Sequence, residues 1–201
     1  MEGQGGLTPG QVFAEKYRVV RLLGEGGMSA VYEATNVALQ ASVALKVISP
    51  QLRLHQEVVA RFAREGIATS RVRHRAIVQV FDAGDYQGRP WLVMELLPGE
   101  SLAERLRREG TLAALEVIRI ATEIASALVA VHALGITHRD LKPDNIFLDC
   151  TEDPPQPKIL DFGIAKLSDA GTAQLTRVGI ALGTPYYMAP EPLQQLISWW
   201  G

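Results

Sequence analysis

The chain has 201 residues, enough for one large domain or two small lobes. Hydrophobic residues make up 47%, which supports a packed core, and 20 Lys and Arg against 22 Asp and Glu leave a net charge of −2. That near balance leaves no electrostatic footprint for nucleic acid or for an anionic membrane surface. A single cysteine, Cys150, excludes an intrachain disulfide and fits a reducing, cytoplasmic setting. No run of about 18 apolar residues is free of charge, so no membrane span is expected. The start of the chain lacks the basic-then-apolar pattern of a secretory signal.

Residues 1–13 are rich in Gly and Gln and read as a flexible leader. Residues 17–23, YRVVRLL, and 30–34, AVYEA, read as two strands of a hairpin. The turn between them is Gly24-Glu25-Gly26-Gly27-Met28-Ser29. Glycines let the main chain approach a ligand, so its N–H groups can face phosphate oxygens. Such turns are common, and alone this one is a weak signal. A strand follows it, not a helix, and there is no Gly-Lys-Ser/Thr string, which argues against Rossmann and Walker phosphate sites.

Residues 42–48, SVALKVI, form an apolar strand pattern carrying Lys46. Val43, Leu45 and Val47 share one face, and Ala44, Lys46 and Ile48 the other. A lysine there either meets an anion or snorkels to water at an edge. Residues 58–72 place Val58, Val59, Phe62, Ile67 and Val72 at helical spacing. Glu65 on that helix is either a solvated neighbour of Arg61 and Arg64 or an ion-pair partner. Residues 77–81 and 91–96 read as strands joined by a turn around Gly84 and Gly88. About five strands and one helix therefore make a small first lobe, ended by Pro98-Gly99. Ser101 and Glu104 have the spacing of a capping box. Residues 111–134 form a long amphipathic helix stopped at Gly135.

The next stretch, ITHRDLKPDNIF, crowds charge into a short loop between two apolar runs. Asp140 can accept a proton from a hydroxyl, Asn145 can offer a carbonyl oxygen to a hard cation such as Mg²⁺, and Lys142 can neutralise a moving phosphoryl group. That set suits phosphoryl transfer, where catalysis is mostly positioning and charge stabilisation. A plain solvated turn would explain the charge but not this order of residues. Residues 150–157, with three prolines, read as an exposed loop between two short strands. The second strand runs into Asp161-Phe162-Gly163. His132 and His138 read as structural, and His55 and His74 lack metal-ligand spacing.

Taken in order, GEGGMS, VALK, HRDLKPDN, DFG and GTPYYMAPE resemble the motifs of eukaryotic-type serine/threonine protein kinases of bacteria, over residues 17–191. The resemblance implies an α+β fold of two lobes: a β-rich first lobe with its hinge over residues 14–97, and a helical second lobe from residue 98. It implies ATP and Mg²⁺. The nucleotide would lie against Leu23, Gly24, Glu25, Gly26, Gly27, Met28, Ser29, Ala30, Val31, Ala44, Met94, Glu95, Leu97 and Phe147. Met94 would control the pocket, and residues 95–97 would be the hinge offering main-chain groups to adenine. Lys46 would grip the α- and β-phosphates and Glu65 would orient Lys46. Asp140 would be the catalytic base, assisted by Lys142, with Asn145 and Asp161 as the metal ligands. Ser29 stands where the family has a third glycine, which implies a stiffer loop with nucleotide binding retained. Thr176, then Thr172, would carry a regulatory phosphate pairing with Arg139, and Thr184 would face substrate near Asp140 and Lys142.

The resemblance breaks at the end, because the chain stops ten residues after Glu191. The family continues with further helices, so the second lobe is expected to be incomplete, as in a truncated or frame-shifted product or a fragment. The helix at 111–134 would then lose cover, favouring self-association or a partner. Two readings follow. One is an active kinase acting on Ser/Thr hydroxyls of proteins, and the other is a nucleotide-binding or regulatory module without turnover. A small-molecule kinase is a third, against which Lys142 and the GTPYYMAPE segment stand.

Overall fold

The computed structural model describes residues 6–138, 140–161 and 187. The first lobe is an antiparallel sheet built from β1 (Val12–Phe13), β2 (Tyr17–Glu25), β3 (Ser29–Asn36), β4 (Ser42–Ile48), β5 (Val80–Tyr86) and β6 (Arg89–Glu95). Its six strands run in the order β1-β2-β3-β4-β6-β5, and helix α1 (Gln56–Arg71) packs across β5 and β6. β4 is central and buried from Val43 to Ile48, because both of its faces are covered. Leu45 and Val47 join Phe13, Tyr17, Val19, Tyr32 and Trp91 on one side. Ala44 and Ile48 join Leu52, Val58, Phe62, Val78, Leu92 and Met94 on the other. The alternation read from SVALKVI is therefore the division between two apolar layers. Gly66 lets α1 lie close to the sheet: a Cβ there would run into the side chain of Leu92.

Two expectations change. The described part of the stretch read as a flexible leader, residues 6–13, packs on the sheet. Leu7 and Phe13 are buried, and Leu7 N–H donates to the Tyr32 hydroxyl at 3.1 Å. Gly10 N–H donates to Val19 O, and Val19 N–H to Gln11 O. Two apolar side chains cover a sheet face that would otherwise meet water, which outweighs the polar composition around them. The turn joining β1 to β2 uses Ala14 and Glu15 at φ 50° and 58°, a left-handed pair usually announced by Asn-Gly. The second change concerns the fourth expected strand, which starts at Val80 and runs through Gly84. The turn is at Gln87 and Gly88, with φ 55° and 73°. Gly84 is a strand residue opposite Trp91, whose indole occupies the place a Cβ would take.

The second lobe holds β7 (Gly99–Ser101), α2 (Leu102–Glu109), α3 (Ala114–Ala133), β8 (Ile146–Asp149) and β9 (Gln156–Ile159), with the strands in the order β7-β8-β9. The capping box forms: Glu104 N–H donates to Ser101 Oγ, and Ser101 N–H to the Glu104 carboxylate. α3 buries Ile120, Ile124, Ala127 and Val131, one stripe at helical spacing, against Val72, Ala76, Ile77, Leu148 and Ile159. Each branched side chain so buried contributes about 1.5–3 kcal/mol. On the opposite side Leu115, Ile118 and Val129 are exposed. The lobes are stitched together by Val78 N–H to Ile159 O and Ile159 N–H to Ala76 O, each 2.9 Å. Among the described residues no helix is long and apolar enough to cross a membrane.

Candidate active site

Lys46 lies mid-strand in β4, between Val31 on β3 and Leu92 on β6, and is only 6% exposed. A buried ammonium requires an anion. Asp161 supplies one, with Oδ1 2.8 Å from Nζ, and Phe62 of α1 lies beneath with its ring centroid 5.9 Å away. The Asp161 side chain is 42% exposed. The ammonium expected at the phosphates and the carboxylate expected at the metal thus meet across the lobes. Glu65 belongs to α1, but its side chain lies outside the described residues.

The loop after α3 closes on itself. Asn145 Nδ2 donates to the main-chain oxygen of Asp140 at 2.8 Å and to its Oδ2 at 3.0 Å. Lys142 Nζ is 4.0 Å from the same Oδ2, and both side chains are under a fifth exposed. Pro143 opens a 3-10 turn, Pro143–Asn145, which brings Asn145 back towards Asp140. His138 is buried, and its Nδ1 accepts Asp140 N–H at 3.3 Å, the structural role read for it. Leu160 N–H donates to Asn145 O, tying the loop to the residue before Asp161. Because Asn145 engages Asp140 through Nδ2, its Oδ1 is the atom suited to a cation. It and the Asp161 carboxylate are hard oxygen donors, the kind Mg²⁺ takes. The charge on Asp140 is thus held between an amide and an ammonium, an arrangement that can orient a hydroxyl and take its proton.

The glycine turn continues the paired strands. Gly24 pairs with Val31 and Glu25 with Ala30, and Gly26 N–H donates to Ser29 O. Ser29 opens β3 and pairs with Ile48, while Leu23 is 39% exposed near the end of β2. Ala44 and Met94 sit opposite each other on β4 and β6, and Met28, Val31, Leu96 and Leu97 pack on the same apolar cluster. Phe147 is not part of that cluster; it lies on β8, half-buried beside Gly99. The Glu95 side chain is engaged elsewhere, with Lys158 Nζ 2.8 Å from its Oε1. Lys158 carried no motif, and only its place between Pro157 and Ile159 in the short strand before Asp161 hinted at a partner. Arg139, Phe162, Gly163, Thr172, Thr176, Thr184 and Glu191 lie outside the described residues.

Comparison with known proteins places the chain in a family. The family model described as the protein kinase domain matches residues 17–198. Serine/threonine-protein kinase Pkn1 of Myxococcus xanthus is 48% identical over 177 residues, covering 87% of this chain and 25% of that protein. Pkn3 of the same organism is 43% identical over 187 residues, covering 90% of this chain and 34% of that protein. The chain thus spans roughly a quarter to a third of the length of these relatives. The crystal structure of the PknI kinase domain from Mycobacterium tuberculosis superposes with a TM-score of 0.68 at 34% identity, covering 79% of this chain and 64% of that chain. On these matches the chain belongs to the protein kinase family, among the serine/threonine kinases of bacteria.

Proposed function

We propose that the chain transfers the γ-phosphoryl group of ATP, bound with Mg²⁺, to Ser or Thr hydroxyls of proteins, itself included. The observation that carries this reading is the Asp140 carboxylate held between Asn145 Nδ2 and Lys142 Nζ. Asp140 orients the acceptor hydroxyl and takes its proton as the new P–O bond forms and the bond from the γ-phosphorus to the bridging oxygen breaks, releasing ADP. Lys142, on the same carboxylate, offsets charge on the transferred group. Lys46 holds the α- and β-phosphates, and Asp161 and Asn145 hold the metal, which supplies charge neutralisation when bound. Residues 24–31 lie over the phosphates, and Ala44, Met94, Leu97 and Phe147 take the adenine with main-chain groups of the hinge at 95–97. Glu65 orients Lys46 from α1. The setting is cytoplasmic, and Thr176 ahead of Thr172 is the self-modified residue.

The test is phosphate incorporation into the purified chain and a basic protein acceptor with ATP and Mg²⁺, with Asp140→Asn as control. Incorporation that vanishes in the control supports the reading. A folded chain that binds ATP yet incorporates nothing overturns it in favour of a module without turnover.

A further inference from the structure

The hinge has a second side. The Glu95 carboxylate turns away from the apolar cluster of Ala44 and Met94. It accepts Lys158 Nζ at 2.8 and 3.0 Å and Gln79 N–H at 2.8 Å. Glu95 N–H in turn donates to Gln79 O at 3.0 Å. The two charged side chains are only 13% and 22% exposed. Lys158 belongs to β9 of the second lobe and Glu95 to the end of β6 of the first. They line a groove of about 430 Å³ with Thr69, Arg73, His74 and Gln79, behind the hinge. Main-chain bonds at Val78 and Ile159 close the same junction.

A carboxylate this covered does not hold its charge comfortably without a partner. If Lys158 is removed, Glu95 loses its ion pair, and a turn of the carboxylate further into the groove takes Oε1 off Gln79 N–H. The end of β6, where the hinge begins, then loses its side-chain anchor.

We propose that Lys158, acting through Glu95 and Gln79, is a positioning residue that holds the hinge main chain in register for adenine. This rests on the nucleotide reading above. Lys158 and Gln79 act through the Glu95 carboxylate from the groove behind the hinge. A preorganised hinge lowers the ordering cost of binding, so the effect falls on ATP affinity and not on recognition of the acceptor.

The experiment is calorimetric titration of the full chain with a non-hydrolysable ATP analogue and Mg²⁺, for wild type, K158M, K158R and E95Q, together with KM for ATP and for the acceptor. Expected is a Kd raised about tenfold in K158M with acceptor KM within about twofold, and recovery to within about threefold of wild type in K158R. A general loss of stability would not divide the two KM values in this way. If K158M does not fold, E95Q keeps the acceptor for Gln79 and removes only the ion pair; a rise of about threefold or more is then expected. A wild type that binds while the folded variants stay within twofold of it overturns the positioning role alone. A wild type that binds no nucleotide overturns the nucleotide reading and this proposal with it.

Discussion

Two of the ion pairs that cross between the lobes among the described residues cross in opposite directions. On the cleft side the ammonium belongs to the first lobe, Lys46 of β4, and the carboxylate to the second, Asp161. Behind the hinge the ammonium is Lys158 of β9 and the carboxylate Glu95 of β6. The cleft pair is lopsided, with a Lys46 side chain 8% exposed and an Asp161 side chain 42% exposed. The rear pair is closed, because Lys158 and Gln79 N–H occupy both Glu95 oxygens. One carboxylate is open to a ligand and the other is spent on holding the chain. The same two side-chain types therefore serve exchange in one place and attachment in the other, and what separates them is access to water.

Breaking each side separates the roles. Asp140→Asn is expected to have the largest effect, abolishing the base while leaving the fold intact. Phosphate incorporation should fall by about 10²–10⁴-fold, with the melting temperature unchanged. Lys46→Met should lower incorporation by at least about a hundredfold, the loss that follows removal of one electrostatic stabiliser. Its stability should hold or rise slightly, because a buried ammonium disappears while the Asp161 left behind is already solvated. Lys158→Met should do the reverse, costing about 1–3 kcal/mol in denaturant unfolding because a covered carboxylate loses its partner. Equal stability losses in the two lysine variants would erase the distinction between open and closed pairs.

Two smaller tests compare the lobes. Gly84→Val drives a side chain into the Trp91 indole and should destabilise the first lobe by about 1–3 kcal/mol, seen as a lower urea midpoint. Ser101→Ala removes the cap of α2 and should cost about 1 kcal/mol. That cap also has a pH signature. Hydrogen bonds from the Ser101 main chain and side chain hold the Glu104 carboxyl below its ordinary value. A lowered folded-state pKa gives stability that is present above the unfolded value and lost as pH falls through the folded one. The gap between wild type and Ser101→Ala should therefore narrow on acidification below about pH 4.

The chemistry was legible where it sat in local order. HRDLKPDN places Asp140, Lys142 and Asn145 within one short loop, and SVALKVI announces both its faces and its unusual lysine. The capping box needed only a spacing. What the sequence hid was of two kinds. The hairpin at Ala14 and Glu15 adopts left-handed backbone without the Asn or Gly that would signal it, so β1 passed for leader. The Glu95–Lys158 pair joins residues 63 apart, neither in a periodic pattern that points to the other. Only the folded junction of the lobes brings them together.

The buried ends of the first segment bear on how this protein can be produced. A recombinant chain started at residue 14, where composition places the boundary, would lack Leu7 and Phe13 and bare the outer faces of Tyr17, Val19 and Tyr32. Such a preparation should come out of cells in inclusion bodies, and a purification tag fused directly to Leu7 would crowd the Tyr32 hydroxyl. Tags belong on a spacer ahead of the glycines.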